Sequence, residues 1–394
     1  MPTFRGWAAT GAAAALVLLW LAFGEDLLLA LAIFLITAVV GGTAYVRVSG
    51  PKLALRRVIN PEQLHDGERA LVDLSLESKR KVYRVRVEDR VHGLGSATFV
   101  ADRVASGDTM AGRYEVLCRP RGVYKVGPSH VSVTDPIGFA EATSKAGIVD
   151  RLVVYPRVED LTGVPTGRGQ DQTISTSRAS FWHTGGEDFF TLREYQQGDD
   201  LRKVHWPSSA RRDQLMIKQL EMPWQSRAFI VLDPRVEPHQ SAESFEQAVK
   251  GTASVLRHLF RSGYTPTIWA GSGNGTVVGN AGAYRLAMEE LATIAPHRSL
   301  DLRHLISRLR RSGMAGGVLV MVTGSADEAD LAAFQLLSQD FYRTVVLSVE
   351  QGDNDEILGF ARAGALVVRT TPDGAWADPW RNAMEHGWST ASAG

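Results

Sequence analysis

The sequence predicts a three-part chain in which two membrane-spanning helices precede an all-β domain and an α/β domain with a mainly parallel sheet. Three observations predict it: two long uncharged apolar stretches before Arg47, an apolar period of two from about Leu53 to Tyr155, and short continuous apolar runs alternating with amphipathic ones beyond Arg227. With 394 residues, 44% of them apolar, the chain has material for several cores. Lys and Arg number 43, and so do Asp and Glu, which leaves no global positive excess to hold a nucleic-acid backbone. The single cysteine, Cys118, rules out an internal disulfide and a Cys-rich metal centre, and fits a reducing compartment.

From Trp7 to Phe23 and from Leu27 to Val46 the chain carries no charge, and each stretch is about as long as the roughly 20 residues a spanning helix needs. Only Gly24, Glu25 and Asp26 separate them, so residues 1–50 are expected to form an antiparallel transmembrane hairpin. A cleavable signal peptide competes for the first stretch, but no small-residue cleavage site precedes Glu25. Arg5 before the first span, and Arg47, Lys52, Arg56 and Arg57 after the second, place both ends on the cytoplasmic side of the inner membrane. The protein is thus expected to be membrane integral, with its soluble domains cytoplasmic.

Residues 51–160 read as a β domain. Val72, Leu74 and Leu76 alternate with Asp73 and Ser75; Tyr83, Val85 and Val87 alternate with Arg84, Arg86 and Glu88; Tyr114, Val116 and Cys118 share a face. Turns are marked at His65-Asp66-Gly67, Ser106-Gly107-Asp108, Arg121-Gly122 and Asp135-Pro136-Ile137-Gly138. Roughly seven strands in about a hundred residues point to an immunoglobulin-like sandwich, with a barrel as the alternative. Arg80, Lys81, Arg84, Arg86 and Arg90 read as a solvated strand face, or as a patch for anionic lipid beneath the membrane.

Residues 161–226 read as a linker, rich in Gly, Thr, Ser and Gln from Val164 to Ser180, followed by a charged segment. From Gly185 to Met222, seven acidic and six basic residues are interleaved with Phe189, Phe190, Tyr195 and Trp206. Alternating signs among aromatics point to specific pairing, with Arg193 and Glu194, Asp199 and Arg202, and Arg211 and Asp213 as candidate partners. His205, Ser208, Ser209 and Asp199 or Asp200 supply the residue types of a nucleophile, base and orienter, but no G-x-S-x-G elbow accompanies them.

The run Leu192-Arg193-Glu194-Tyr195, Gly198-Asp199-Asp200, Arg202, Trp206, Ala210-Arg211, Leu215, Lys218 and Glu221 closely resembles the signature of family fifty-eight among the bacterial domains of unknown function. Arg121-Gly122-Val123-Tyr124-Lys125-Val126-Gly127-Pro128 and Thr134-Asp135-Pro136-Ile137-Gly138 resemble the strand-turn pattern that precedes it there. Pro207 departs from that pattern, in which a basic residue more often follows the tryptophan. Two roles stay open and compatible for the signature: ion pairs and hydrogen bonds from Arg193, Asp199, Arg202 and Arg211 that lock the neighbouring domains together, with Gly198 permitting a turn of positive φ, or a surface for a protein partner built on Arg, Tyr and Trp.

Residues 227–394 read as α/β. Ala228–Leu232, Thr267–Ala270, Val318–Val322 and Val345–Val349 are strands; Ser241 caps a helix whose apolar face carries Phe245, Ala248, Val255, Leu256 and Leu259 and which stops at Gly263. Further helices are expected near Tyr284–Ile294, Leu300–Arg311 and Asp327–Gln339, and Gly271-Ser272-Gly273-Asn274-Gly275 as a hairpin turn. The arrangement resembles a von Willebrand factor A-like domain, which family fifty-eight proteins commonly carry here. Resemblance implies a D-x-S-x-S cation motif after the first strand, but the chain reads Asp233-Pro234-Arg235-Val236-Glu237. The motif is degenerate at Asp233, no tight metal site is expected, and Arg235 is placed to pair with Asp233 in the ion's stead. Thr323-Gly324-Ser325 are expected near the same sheet edge.

These readings converge on a membrane-anchored, non-catalytic adaptor or scaffold without a cofactor or an evident small-molecule substrate. Resemblance implies a MoxR-type AAA+ ATPase as partner, in assembly or remodelling of complexes at the membrane. A hydrolase or peptidase component using the central segment, and an envelope scaffold independent of any ATPase, are the alternatives. Whether the tail from Asp373, with Trp376, Trp380 and Trp388, packs as a last helix stays open at this level.

Overall fold

The structure is a computed structural model describing residues 1–49, 53–79, 81–165, 190–195, 204–212, 214–220, 227–270, 275–298, 306–307, 310, 316–350 and 355–390. It divides into two compact units, Met1–Tyr155 and Pro156–Gly394. The first unit opens with helices α1 (Phe4–Phe23) and α2 (Asp26–Ser49), both long and apolar enough to cross a membrane. Thr3 caps α1 by accepting the Gly6 N–H on its hydroxyl, and Gly24 ends it in the left-handed region at φ 73°. Small residues such as Ala13 and Ala32 are fully buried, whereas Leu18, Leu21, Phe23, Leu27 and Phe34 face outward. Small residues inside and large apolar ones outside are the pattern of helices packed in lipid.

Ten strands follow: β1 (Leu53–Asn60), β2 (Leu64–His65), β3 (Arg69–Ser78), β4 (Val82–Val91), β5 (Gly95–Val104), β6 (Thr109–Leu117), β7 (Gly122–Val126), β8 (Ser129–Thr134), β9 (Glu141–Ala146) and β10 (Asp150–Tyr155). One sheet has the order β1-β3-β6; the other runs β2-β10-β7-β4-β8-β9, with β5 paired to β4. The pairings are antiparallel except for β10 with β2. Inward positions of both sheets, among them Val72, Leu74 and Val116 from one and Val126, Leu152 and Val154 from the other, share one core. Ten strands replace the roughly seven read from periodicity, because segments as short as Leu64–His65 or as polar as Glu141–Ala146 carry no alternating apolar signal.

One arginine departs from its sequence reading. Arg57, taken as a juxtamembrane charge, is a core residue with a side chain 2% exposed. Its Nε and a terminal nitrogen donate to the two oxygens of Asp89 at 3.0 and 2.5 Å, and its other terminal nitrogen donates to Asp150 at 2.6 Å. The Tyr114 and Ser129 hydroxyls also donate to Asp89, at 2.6 and 2.7 Å. Burial alone would raise the Asp89 carboxyl, but these hydrogen bonds outweigh it and hold it below its ordinary value. Arg84 lies in the left-handed region at φ 45°, a conformation costing a non-glycine residue about 1–3 kcal/mol.

The turn Asp135–Ala140 is fastened to the helices. Thr3 donates from its backbone N–H to Phe139 O (2.8 Å) and from its hydroxyl to Gly138 O (2.6 Å). A Cβ on Gly6 would stand 2.1 Å from Phe139 O, so α1 needs glycine where the turn meets it, and one on Gly42 would stand 3.0 Å from the Asp135 carboxyl carbon, a tight approach of α2 to the same turn. Asp135 is buried and accepts the backbone N–H groups of Ile137, Gly138 and Ala140, which fixes the turn's shape.

In the second unit, β11 (Phe190–Glu194) and β12 (Met216–Leu220) form an antiparallel ribbon around a short helix, α3 (Trp206–Arg212). The main sheet comprises β13 (Arg227–Leu232), β14 (Thr265–Ala270), β15 (Thr276–Val277), β16 (Val318–Thr323), β17 (Arg343–Val349) and β18 (Leu366–Thr370). Its order is β15-β14-β13-β16-β17-β18, parallel throughout except for the edge strand β15. Helices α4 (Ala242–Arg261), α5 (Ala281–Thr293), α6 (Glu328–Ser338), α7 (Asp355–Arg362) and α8 (Ala377–Thr390) alternate with these strands. Ser241 caps α4, and Gly263 follows its end at φ 84°. Of the helix expected at 300–311, only 306–307 and 310 are described, and they are helical.

The tail is structural. Trp376 and Trp380 are fully buried, and their indole N–H groups donate to Gln247 O and Gly163 O, each at 3.0 Å. Glu159 accepts the backbone N–H groups of Trp376 and Ala377 at 2.8 and 3.0 Å, capping α8 from a distant part of the chain, while Lys250 Nζ lies 2.5 Å from its other oxygen. Residues 156–160, read from sequence as the end of the β domain, therefore belong to the α/β unit.

Candidate functional site

In an open parallel sheet, ligands bind beyond the carboxyl ends of the strands where the order reverses. Here that point lies between β13 and β16, and both strands end in oxygen-bearing side chains, Asp233 just after β13 and Thr323 at the end of β16. Asp233 is completely buried and Thr323 Oγ1 donates to it at 3.0 Å. Arg235 closes over the pair. Its Nε donates to Asp233 Oδ1 at 3.0 Å, one terminal nitrogen donates to Asp233 Oδ2 at 2.8 Å, and the same nitrogen donates to Asp330 Oδ2 at 2.9 Å. Asp330 is held there by a capping box at the start of α6, in which it exchanges hydrogen bonds with Asp327.

The surrounding loops are equally constrained. Pro238 O accepts the Ser325 N–H at 2.8 Å, and a Cβ on Gly324 would stand 2.0 Å from that oxygen. His239 packs edge-on against Phe245 and bonds Asp233 O through Nε2 at 3.0 Å. A carbonyl accepts, so Nε2 carries the proton and the buried Nδ1 is left as an acceptor with no hydrogen-bond partner among the described residues. Burial lowers the His239 pKa below its ordinary value. Burial would also lower Arg235, but its hydrogen bonds to Asp233 and Asp330 outweigh this and raise it, so the guanidinium stays charged.

These residues do not fit a divalent cation. A hard cation needs free oxygen lone pairs converging on one point, whereas the Asp233 oxygens receive three N–H donors of Arg235 and the Thr323 hydroxyl. A positive guanidinium stands where the charge of an ion would be compensated. Of these groups, Asp233, Arg235 and Thr323 were legible from the sequence. Asp330 and His239 were not, although Asp327 with Asp330 three residues later is a readable helix-start signal.

The signature residues fall in three groups. Gly198, Asp199, Asp200, Arg202 and Glu221, with the expected pairs Asp199–Arg202 and Arg211–Asp213 and most of the 164–180 linker, lie outside the described residues. Arg193, Glu194 and Lys218 are placed by the ribbon, Arg193 opposite Ile217, Glu194 opposite Met216 and Lys218 opposite Leu192. Tyr195 is half-buried and its N–H donates to Leu215 O at 2.8 Å. Trp206 (66% exposed), Ala210 and Arg211 stand on the outside of α3. His205 Nδ1 lies 2.8 Å from Ser208 Oγ, while Ser209 Oγ donates to His205 O and accepts from Met216 N.

Residues 191–357 match the model of a family described as protein of unknown function DUF58. The chain is 29% identical over 217 residues to the uncharacterized protein YeaD of Bacillus subtilis (strain 168), an alignment covering 52% of this chain and 53% of that protein. The chain thus spans about half the length of the curated relative it matches. Among solved structures it is similar to a CARDB domain from Pyrococcus furiosus (TM-score 0.21, 12% identity, 26% of this chain and 86% of that one). It is also similar to the sporulation control protein Spo0M of Bacillus subtilis (TM-score 0.17, 9% identity, 26% and 49%). Both likenesses are too slight to carry a fold assignment. The signature read from the sequence, its ribbon-and-helix geometry and the family match coincide on residues 191–357, the part of the chain that is similar to the DUF58 family.

Proposed function

We propose that this protein is a membrane-anchored, non-catalytic adaptor whose soluble units lie in the cytoplasm and whose partner is a MoxR-type AAA+ ATPase. The observation that carries the reading is the closure of the sheet's switch point by Arg235, which occupies the place where an α/β domain of this order would present a reactive or ion-binding group. The sheet order, with its first strand central and an antiparallel edge, supports the von Willebrand factor A-like reading of the second unit. Two facing sheets in the first support an immunoglobulin-like sandwich. Orientation rests on charge: Arg5, Arg47, Lys81 and Arg84 belong to the ends of the helices and the strands that follow, Glu25 to the connecting turn and Asp26 to the start of α2.

Trp206 and Arg211, both exposed on α3, are the residue types from which binding hot spots are built, and we assign the partner surface to them. Membrane pull-down with quantitative mass spectrometry tests the proposal. An AAA+ ATPase enriched with the wild type and depleted with Trp206→Ala supports it. Its absence would favour an envelope scaffold. A hydrolase reading is favoured by one distance, His205 Nδ1 to Ser208 Oγ. That contact joins residues three apart at a helix start, and equal ester hydrolysis by wild type and Ser208→Ala would remove it.

A further inference from the structure

The turn that fastens the β strands to the hairpin brings together two arginines that lie far apart in sequence. A Cβ placed on Gly138 would stand 3.0 Å from a terminal nitrogen of Arg84 and 3.8 Å from one of Arg5. The two guanidinium groups thus flank one point, separated by no more than those two distances laid end to end. Like charges at this range repel, yet neither group forms a hydrogen bond or ion pair among the described residues, and both are exposed. The nearby Asp135 carboxylate is buried and already accepts three backbone N–H groups of its own turn. Arg84 reaches this position from a left-handed backbone (φ 45°) within a strand. Strain of this kind gathers at ligand-binding positions, where the surroundings hold a residue in an unfavourable conformation for use.

The point lies where α1 begins. Arg5 is in the first turn of that helix, and Trp7, 65% exposed, follows two residues later. Tyr45, near the end of α2, packs 6.4 Å from Tyr83, and Lys81 Nζ lies 5.1 Å over the Tyr83 ring. Trp, Tyr, Lys and Arg at the ends of apolar spans mark the headgroup level of a bilayer. Resting on the membrane-anchored reading, we propose that Arg5 and Arg84 clasp the phosphate of an anionic phospholipid above Gly138. Guanidinium groups recognise phosphate oxygens by paired, charge-assisted hydrogen bonds, and two of them flanking one glycine leave room for a headgroup where any side chain would intrude.

The test uses the full-length protein in detergent, with native mass spectrometry counting retained phosphatidylglycerol against phosphatidylcholine. Wild type is expected to prefer phosphatidylglycerol at least tenfold. Arg5→Gln/Arg84→Gln is expected to lose that preference, Arg84→Lys to retain part of it, and Arg86→Gln, an exposed arginine on the same strand, to behave as wild type. Thermal melts of each variant confirm that folding is unchanged. Equal phosphatidylglycerol preference in the double variant and wild type overturns the proposal, as does full displacement of the lipid by 10-fold excess inorganic phosphate, which would mark a free-anion site. Carbonate extraction in parallel separates the two readings: a chain released from membranes refutes the anchor, whereas a retained chain without lipid preference refutes the site alone.

Discussion

Arg235 grips Asp233 from the same loop, its Nε and a terminal nitrogen 3.0 and 2.8 Å from the two carboxylate oxygens, and extends that second nitrogen 2.9 Å to Asp330 on another helix. One guanidinium thereby bridges two acidic groups at the place in the sheet where ligands ordinarily bind. Removing it leaves the buried Asp233 without its cationic partner. Arg235→Ala is expected to destabilise the α/β unit by about 3–5 kcal/mol, on the order of 10 °C in its melting midpoint, as measured by calorimetry.

The β unit contains its own buried ion pair, and its acid response follows from it. Because the folded Asp89 carboxyl is held below its unfolded value, its stabilisation is complete above about pH 4 and is lost as pH falls through the folded pKa. Asp89→Asn is expected to cost about 3–5 kcal/mol at pH 7, with a smaller further loss on acidification than wild type. Denaturant titrations at pH 7, 5 and 3 measure both effects.

The α/β unit should weaken in a different window. Burial lowers the pKa of His239, and burial outweighs the Gly163 carbonyl bond in lowering that of His258. A histidine with a depressed folded pKa binds fewer protons folded than unfolded, so its contribution is complete above about pH 6.5 and declines as pH falls through the folded value. Hydrogen exchange between pH 7 and 5 should show loosening in the second unit while the first is unchanged, and His239→Gln should flatten that dependence.

The hairpin and the β strands are joined through glycines. A side chain at Gly6 would drive into Phe139 O, so Gly6→Val is expected to detach the Asp135–Ala140 turn from α1. Amide exchange at Gly138 and Ala140 should accelerate at least tenfold, while exchange in the core strands β3 and β4 is unchanged.

The tail contributes packing. Trp376→Ala removes a fully buried indole lying over Gly251 and is expected to cost about 3–5 kcal/mol. Glu159→Ala, which uncaps α8, should cost about 1 kcal/mol, measurable as a lower denaturant midpoint.

The sequence was most legible where one physical pattern acts alone. The uncharged spans, the alternation of Val72, Leu74 and Leu76, and the Ser241 cap each announce a local structure that tertiary contacts leave in place. It was least legible where a side chain's partner is distant. Arg57 looks like any charge following a span, and only the pairing of β1 with β3 carries it inward to Asp89. Arg84 alternates like a solvated residue, and nothing local signals that its backbone turns left-handed to meet Arg5. Strand β18 and the burial of Trp376 were hidden because an isolated run such as Leu366–Thr370 is short and part polar. At the switch point, the departure at Arg235 was readable, but its second acidic partner, 95 residues away, was not.

The proposed adaptor role is tested by a binding titration of the full-length protein, held in nanodiscs, against a purified MoxR-type ATPase, with and without EDTA. Saturable binding is expected, indifferent to EDTA and weakened at least tenfold by Trp206→Ala. No binding, or binding that requires a divalent cation and is abolished by Asp233→Ala at unchanged stability, would contradict it.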